Sequence, residues 1–393
     1  MEAEEGIRGK GTIMEYFSQM PDPRKRIGKR YPLYEVVAIT ILAVMSFAKG
    51  WEDIQRYAEA KRTWLSKFLE LKKGIPHHDV YRRVFTVLQP QLIEACFMNW
   101  VRAIKQNTPE RQIIAIDGKT VRGAFNAKTG KSLHILSAWA RANQLVFGQV
   151  RTEEKSNEIT AIPTLLEKIA LEGSIVSLDA MGCQYEIANK IVKKKADYLF
   201  SLKGNQGNLH EDVKEYFADF DFAKPASAMK HIAFKSVSTH EQKRGRIEDR
   251  EYAVSEDVEW LHKRHPKWKT IRSIGFVDSP RQEKGSIAYE RRHYVSSLAA
   301  EPQEFSRAVR SHWGIENSLH YVLDVAFAED SCRIRTGKGP ENMGFIRKIA
   351  LTIVRSDTET KSSVTGRIKQ MAWSEDYLEQ LLFSSTFASQ QAS

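Results

Sequence analysis

Two short runs constrain this chain most, because each is mainly apolar and each ends in an aspartate. They are Arg111-Gln-Ile-Ile-Ala-Ile-Asp117 and Ser174-Ile-Val-Ser-Leu-Asp179. Apolar runs this short read as buried strands. A carboxylate at the end of a buried strand is costly unless it is paired or binds a metal. One such aspartate has a common explanation as a turn or cap residue. Two of them on neighbouring strands, about 5 Å apart, could both reach one ion.

The surrounding pattern predicts how the strands are arranged. Leu133–Ala140 and Leu145–Val150 read as strands, Glu158–Ala170 and Glu186–Lys195 as helices, and Tyr198–Leu202 as a further strand. Three early strands can form an antiparallel meander, and helical crossovers then add parallel strands. The expected fold is therefore α/β (α+β), with an RNase H-like catalytic core made of residues 111–204 and 301–355. Residues 1–110 read as a helical N-terminal DNA-binding domain, with helices at Leu33–Ala48, Trp51–Ala60, Trp64–Leu71 and Asp79–Leu88 punctuated by Pro32, Gly50, Gly74–Pro76 and Pro90. Residues 205–300 read as a β-rich insertion, with strands at Glu251–Val254, Thr270–Val277 and Glu290–Ser297. Residues 356–393 read as a tail with short helices.

Composition narrows the partners. Among 393 residues the formal net charge is +11, which favours polyanions, nucleic acid first; a solvated basic surface explains it equally well. Cys96, Cys183 and Cys332 are far apart and form no CxxC pair, which argues against a zinc ribbon or a disulfide framework. The longest apolar run, Val36–Ala48, is well short of the roughly 20 residues of a membrane span. The opening residues are acidic and polar, unlike a signal peptide. The expected location is the cytoplasm, in association with the nucleoid, with no membrane partner and no nucleotide cofactor.

Two divalent ions need a third acid. The best candidate is Glu316 in Arg310-Ser-His-Trp-Gly-Ile-Glu-Asn-Ser-Leu-His320, a segment with apolar residues at helical spacing. His312, Glu316 and His320 lie four apart on one stripe. A zincin-like site is a second reading of that stripe, but the H-E-x-x-H spacing is absent. Asp324, Glu329 and Asp330 are competing third acids. On a regular helix Asp324 lies about 80° from Glu316, so both could approach one site.

A set of motifs follows in fixed order: Asp117-Gly-Lys-Thr-Val-Arg-Gly123, Glu154-Lys-Ser-Asn-Glu-Ile-Thr-Ala-Ile-Pro163, Asp179-Ala-Met-Gly-Cys-Gln184, Leu202-Lys-Gly-Asn-Gln206, His312-Trp-Gly-Ile-Glu-Asn-Ser-Leu-His320, Leu323-Asp-Val325, Glu329-Asp330 and Arg333-Ile-Arg335. In this order they resemble the DDE-type insertion-sequence transposases of the H-repeat-associated branch, from about Tyr16 to Leu382. The resemblance implies catalytic and metal-binding roles for Asp117, Asp179 and Glu316, with Mg²⁺ (or Mn²⁺) in a two-metal site. It also implies terminal inverted repeats and target DNA as double-stranded substrates, and a homodimer on paired ends. Related families carry a Tyr-Arg-Glu-Lys signature around the third acid; here Val309, His312 and Leu323 stand at the other three offsets. Lys243-Arg-Gly-Arg-Ile-Glu248 departs at Arg244 from the His-Gly-Arg-Ile-Glu of that branch.

Hard ions choose carboxylates as ligands, and a two-ion site can serve both water attack and 3′-OH strand transfer. Several residues could contact DNA, each with a plainer alternative. Lys119 and Arg122 could hold a phosphate or form surface salt bridges. Lys155 and Asn157, with Ser156, precede a helix and could bind an anion or cap it. Lys203, Asn205 and Gln206 suit backbone contacts or a turn. His312 and Trp313 could support Glu316 or meet a splayed base, Trp313 otherwise serving in the core. Arg333 and Arg335 could meet DNA or pair with Glu329 and Asp330. Arg82 and Arg83 mark a candidate groove-entering helix. A catalytically inactive DNA-binding relic, and an RNase H-like nuclease without strand transfer, are the alternatives.

Overall fold

The computed structural model describes residues 13–25, 29–104, 111–126, 131–140, 142, 144–152, 158–222, 233–243, 246–283, 286–357 and 359–383. Six helices come first: α1 (Ile13–Ser18), α2 (Leu33–Val44), α3 (Trp51–Ala60), α4 (Arg62–Leu65), α5 (His78–Val87) and α6 (Pro90–Ile104). α2 is apolar almost throughout and buried almost throughout, as a helix without a polar face must be. The expected helix Trp64–Leu71 is replaced by the short α4, which ends at Leu65; farther on, Leu71 adopts a left-handed φ of 45°. There its backbone N–H donates to the buried carboxylate of Glu35. Pro90 opens α6 instead of only separating helices; at a first helical position its missing N–H costs nothing.

β1 (Ile113–Asn126), β2 (Lys131–Ala140) and β3 (Leu145–Thr152) form an antiparallel meander. Then come α7 (Glu158–Lys168), β4 (Ile175–Leu178), α8 (Tyr185–Lys193) and β5 (Asp197–Leu202), with β4 parallel to both β1 and β5. After α9 (Asn208–Tyr216), two hairpins follow: β6 (Lys235–Lys243) with β7 (Arg246–Ser255), and, beyond α10 (Glu259–Arg264), β8 (Ser273–Glu283) with β9 (Ser286–Ser296). These four strands are longer than the hydrophobic pattern suggested, and β6 was not expected. They continue the same sheet, since β9 pairs antiparallel with β5, giving the order β3-β2-β1-β4-β5-β9-β8-β7-β6.

The remaining helices are α11 (Pro302–Ile315), α12 (Tyr321–Phe327), α13 (Gly339–Ser356), α14 (Val364–Trp373) and α15 (Glu375–Phe383). α11 crosses β1 and β4. α13 packs against α2, α5 and α6 and also against β2 and β3, so the N-terminal helices and the sheet share one apolar core. Its polar side chains tie the two together. Asn342 Nδ2 donates to the carbonyls of Phe85 and Leu88 at 2.8 and 2.9 Å, and the buried Lys348 ammonium donates to Ser137 Oγ at 2.9 Å and to Gln149. Among the described residues no helix is long and apolar enough to cross a membrane.

Candidate active site

The register of β1 against β4 brings the first two acids together. Ile116 lies opposite Leu178, so Asp117 and Asp179 each follow the last paired residue of two adjacent parallel strands. Asp179 is fixed by its own turn, where its Oδ1 accepts from the N–H groups of Met181 and Gly182 at 3.0 and 3.2 Å. Asn205 and Gln206 both donate side-chain N–H bonds of 2.9 Å to the carbonyl of Ala180. Their amides therefore hold the loop that carries Asp179.

Glu316 does not stand on a regular helix. α11 ends at Ile315, and Glu316–His320 forms one π turn before α12. Such turns are rare and are frequently found at functional sites. The turn brings the His320 ring against both acids, with Nδ1 at 3.2 Å from Glu316 Oε2 and 3.6 Å from Asp117 Oδ2. Donor atoms of Asp117, Glu316 and His320 all fall within 4.8 Å of one another. His320 itself is buried.

The three competing acids converge elsewhere. Asp324 is not among the close donor atoms of Asp117, Glu316 and His320 and faces Lys119 instead. Lys119 Nζ donates to Asp324, to Glu329 at 2.9 Å and to Asp330 at 3.4 Å. Arg122 leans on Asp330 at 3.7 Å but is otherwise exposed. The alternative in which Arg333 and Arg335 pair with Glu329 and Asp330 does not occur. Both arginines are exposed, and Arg335 donates to the carbonyl of Gly123. They line a cleft of about 480 Å³ together with Trp51, His78 and Arg82. Arg24, in the N-terminal basic knot, is committed to Asp22 at 2.7 Å. Lys155, Asn157 and Arg244 lie outside the described residues.

Behind Asp117 runs a buried chain that sequence reasoning missed. Thr120 Oγ1 meets His134 Nδ1 at 2.9 Å, and His134 Nε2 meets Glu158 Oε1 at 2.7 Å. The signal was present: a histidine inside the apolar strand Leu133–Ala140 needs a partner.

On the other side of Asp179 is a cleft of about 550 Å³, lined by Lys203, Arg292, His293, His312 and Trp313 among others. Trp313 is half-buried and not a core residue. The guanidinium carbons of Arg292 and Arg250 lie 4.4 and 5.3 Å from its ring centre. His312 Nδ1 meets Ser177 Oγ at 3.2 Å. Burial, then the neighbouring His210 and Arg291, push the His293 imidazole down to about 4.

Burial raises the Asp117 carboxyl from 3.8 to about 6; His320 opposes the shift, and the charges of Asp179 and Glu158 add to it. The hydrogen bond with His320 holds Glu316 below its ordinary value despite partial burial. A desolvated carboxylate beside Glu316 and His320 suits a cation, which would favour its charged form. The pH consequence has a definite sign. The unfolded chain releases the Asp117 proton first as pH rises, so the ion-free protein loses stability between about pH 4 and 6 and does not regain it above. Asp117→Asn removes that loss. In EDTA it is expected to be about 1–3 kcal/mol more stable than wild type at pH 7.5, with the gain vanishing at pH 4. Urea unfolding at the two pH values checks this, and equal stability at pH 7.5 would count against it.

A model of the transposase DDE domain matches residues 108–353, and a model of the region associated with that domain matches residues 14–101. The chain belongs to the DDE-domain transposase family. It is 37% identical over 377 residues to YncI of Escherichia coli O157:H7, covering 95% of each chain. It is 35% identical over 378 residues to the H repeat-associated YhhI of Escherichia coli strain K12, covering 95% of this chain and 98% of that one. The resemblance carried by the ordered motifs is thus borne out. A shorter relative in the same strain, YbfQ, named an inactive transposase, is 38% identical over 72 residues, 18% of this chain and 86% of its own.

Proposed function

We propose that this chain is a metal-dependent transposase that nicks the terminal inverted repeats of an insertion sequence and joins the freed 3′-OH to target DNA. One observation carries the reading: the register that sets Asp117 and Asp179 just past the last paired residues of the parallel β1–β4 ladder, with Glu316 brought to Asp117 through His320. The meander followed by two parallel strands supports an RNase H-like core for residues 111–204 and 301–355, with 205–300 as its insertion. The donor set is hard, anionic and partly desolvated, as Mg²⁺ or Mn²⁺ requires. When bound, such ions supply charge stabilisation at the phosphate and a nucleophile at neutral pH.

The chain's own groups do the rest. Asp117, Asp179 and Glu316 hold the ions. Asn205 and Gln206 keep the Asp179 loop in place. Lys203, Arg292, His312 and Trp313 offer charge and an aromatic face to a DNA end beside Asp179, since stacking and cationic contacts suit unpaired nucleotides. Arg122, Arg333, Arg335 and Arg82 lie on exposed surface suited to phosphates, and Lys155 and Asn157 are assigned with them by their motif. Lys119 serves the acid cluster instead, because three carboxylates already occupy its ammonium. Residues 1–110 are assigned to repeat recognition, and a homodimer on paired ends follows from the family resemblance.

The test is cleavage of a labelled duplex bearing the flanking inverted repeat, in Mg²⁺ and in Mn²⁺. Wild type is expected to nick at the repeat terminus, while Asp117→Ala, Asp179→Ala and Glu316→Ala bind and do not cut. Binding without cutting by wild type would instead favour the inactive state named for YbfQ.

A further inference from the structure

We infer that His320 is itself a ligand, so that one ion of the proposed site is held by two carboxylates and an imidazole nitrogen; this rests on the metal-dependent reading above. Ligands at neighbouring corners of an octahedral ion, with bonds of about 2.1 Å, lie about 3 Å apart. His320 Nδ1 stands 3.2 Å from Glu316 Oε2 and 3.6 Å from Asp117 Oδ2. The imidazole therefore sits beside the carboxylates as one of the set, not behind them as a support.

Burial divides the labour. The Glu316 side chain is 70% exposed, and that of His320 is 5% exposed. A carboxylate that open to water keeps no single rotamer through packing, so the fixed group at this corner is the histidine. Its Nε2 is buried without a hydrogen-bond partner among the described residues. Here the ring's polar contacts are the two acids that face Nδ1. The π turn supplies the placement, since it carries both Glu316 and His320.

The inference has a chemical consequence. Mg²⁺ takes oxygen ligands in tight octahedral geometry, whereas transition ions accept imidazole. The site is expected to prefer Mn²⁺ over Mg²⁺, and His320→Gln, which keeps a hydrogen-bonding group near Glu316, is expected to lose that preference.

Pulsed EPR of the full chain with substoichiometric Mn²⁺ tests it without reference to activity. Wild type is expected to show modulation from a directly bound ¹⁴N. His320→Gln is expected to lose it and to bind Mn²⁺ at least about tenfold more weakly, since even an outer-shell partner contributes about that much at other sites. His312→Gln is expected to retain the modulation; if His320→Gln does not fold, this comparison and the wild-type spectrum still decide the matter. Mn²⁺ that binds wild type, is lost in Asp117→Asn and shows no nitrogen coupling would overturn the ligand role alone. Mn²⁺ that fails to bind wild type, or binds Asp117→Asn equally well, would overturn the metal-dependent reading and the ligand role with it.

Discussion

Gly118→Ala is expected to abolish strand cleavage and to destabilise the protein by about 1–3 kcal/mol, the usual cost of forcing extra volume into a packed interior. A β-carbon at this position would lie 2.4 Å from both Glu158 Oε1 and His134 Nε2. Neither group can step aside. Both are buried, and they hold each other at 2.7 Å. The methyl would either split the pair or push β1 away from it, and Asp117 is the adjacent residue. Thermal unfolding and the repeat-cleavage assay, run together, check this. A variant that melted within a degree of wild type and still cut would show that β1 tolerates the displacement and that the close approach has no consequence.

Glu329→Ala is expected to cost more, about 3–5 kcal/mol, because it removes one side of a buried ion pair and leaves the cations behind. Glu329 is 2% exposed, and its carboxylate faces Lys119 at 2.9 Å and Arg347 at 3.7 Å. Burial alone would push its carboxyl up, yet Lys119, Arg347 and Lys348 together hold it below its ordinary value. Without it, Arg347 and Lys348 remain inside α13 with less negative charge near them, and Lys348 already has an ammonium that burial pushes down to about 8. Asp330→Ala, which removes a partly exposed member of the same cluster, is expected to cost less than about 1 kcal/mol. Denaturant unfolding of the two variants separates the cases, and equal losses would show that burial does not set the difference.

The parts of this protein that were legible in sequence are those where burial and charge collide in a few residues. Ile113–Asp117 and Ile175–Asp179 declared both the parallel strands and the acids at their ends, because each carboxylate breaks an otherwise apolar run. β6 was invisible, since Lys-Ser-Val-Ser-Thr-His-Glu-Gln-Lys carries little apolar signal and lies at the sheet edge, where one neighbour suffices. The far half of β1 was hidden in the same way behind Gly-Lys-Thr-Val-Arg-Gly, although its pairing with β2 continues to Val121 before the register shifts. The π turn could not be read either. Its sequence suits an α-helix, and no residue in it marks a departure from one. Trp313 looked like core material by residue type, but the arginines that flank its ring come from strands far away in sequence.

The place of α13 in the fold bears on how such an element decays. The helix begins at Gly339, late in the chain, yet it covers α2, α5 and α6, which come from the first third. A copy whose reading frame stopped before Gly339 would leave the apolar surface of α2 without a lid and the Phe85 and Leu88 carbonyls without Asn342. Its product would expose that surface to proteases and to aggregation. Under the function proposed above, truncation at that point is expected to leave no folded fragment to occupy the ends. A point change at Asp117, Asp179 or Glu316 removes no such cover, so on the same proposal it is the kind of lesion expected to leave a folded protein able to compete for the same DNA.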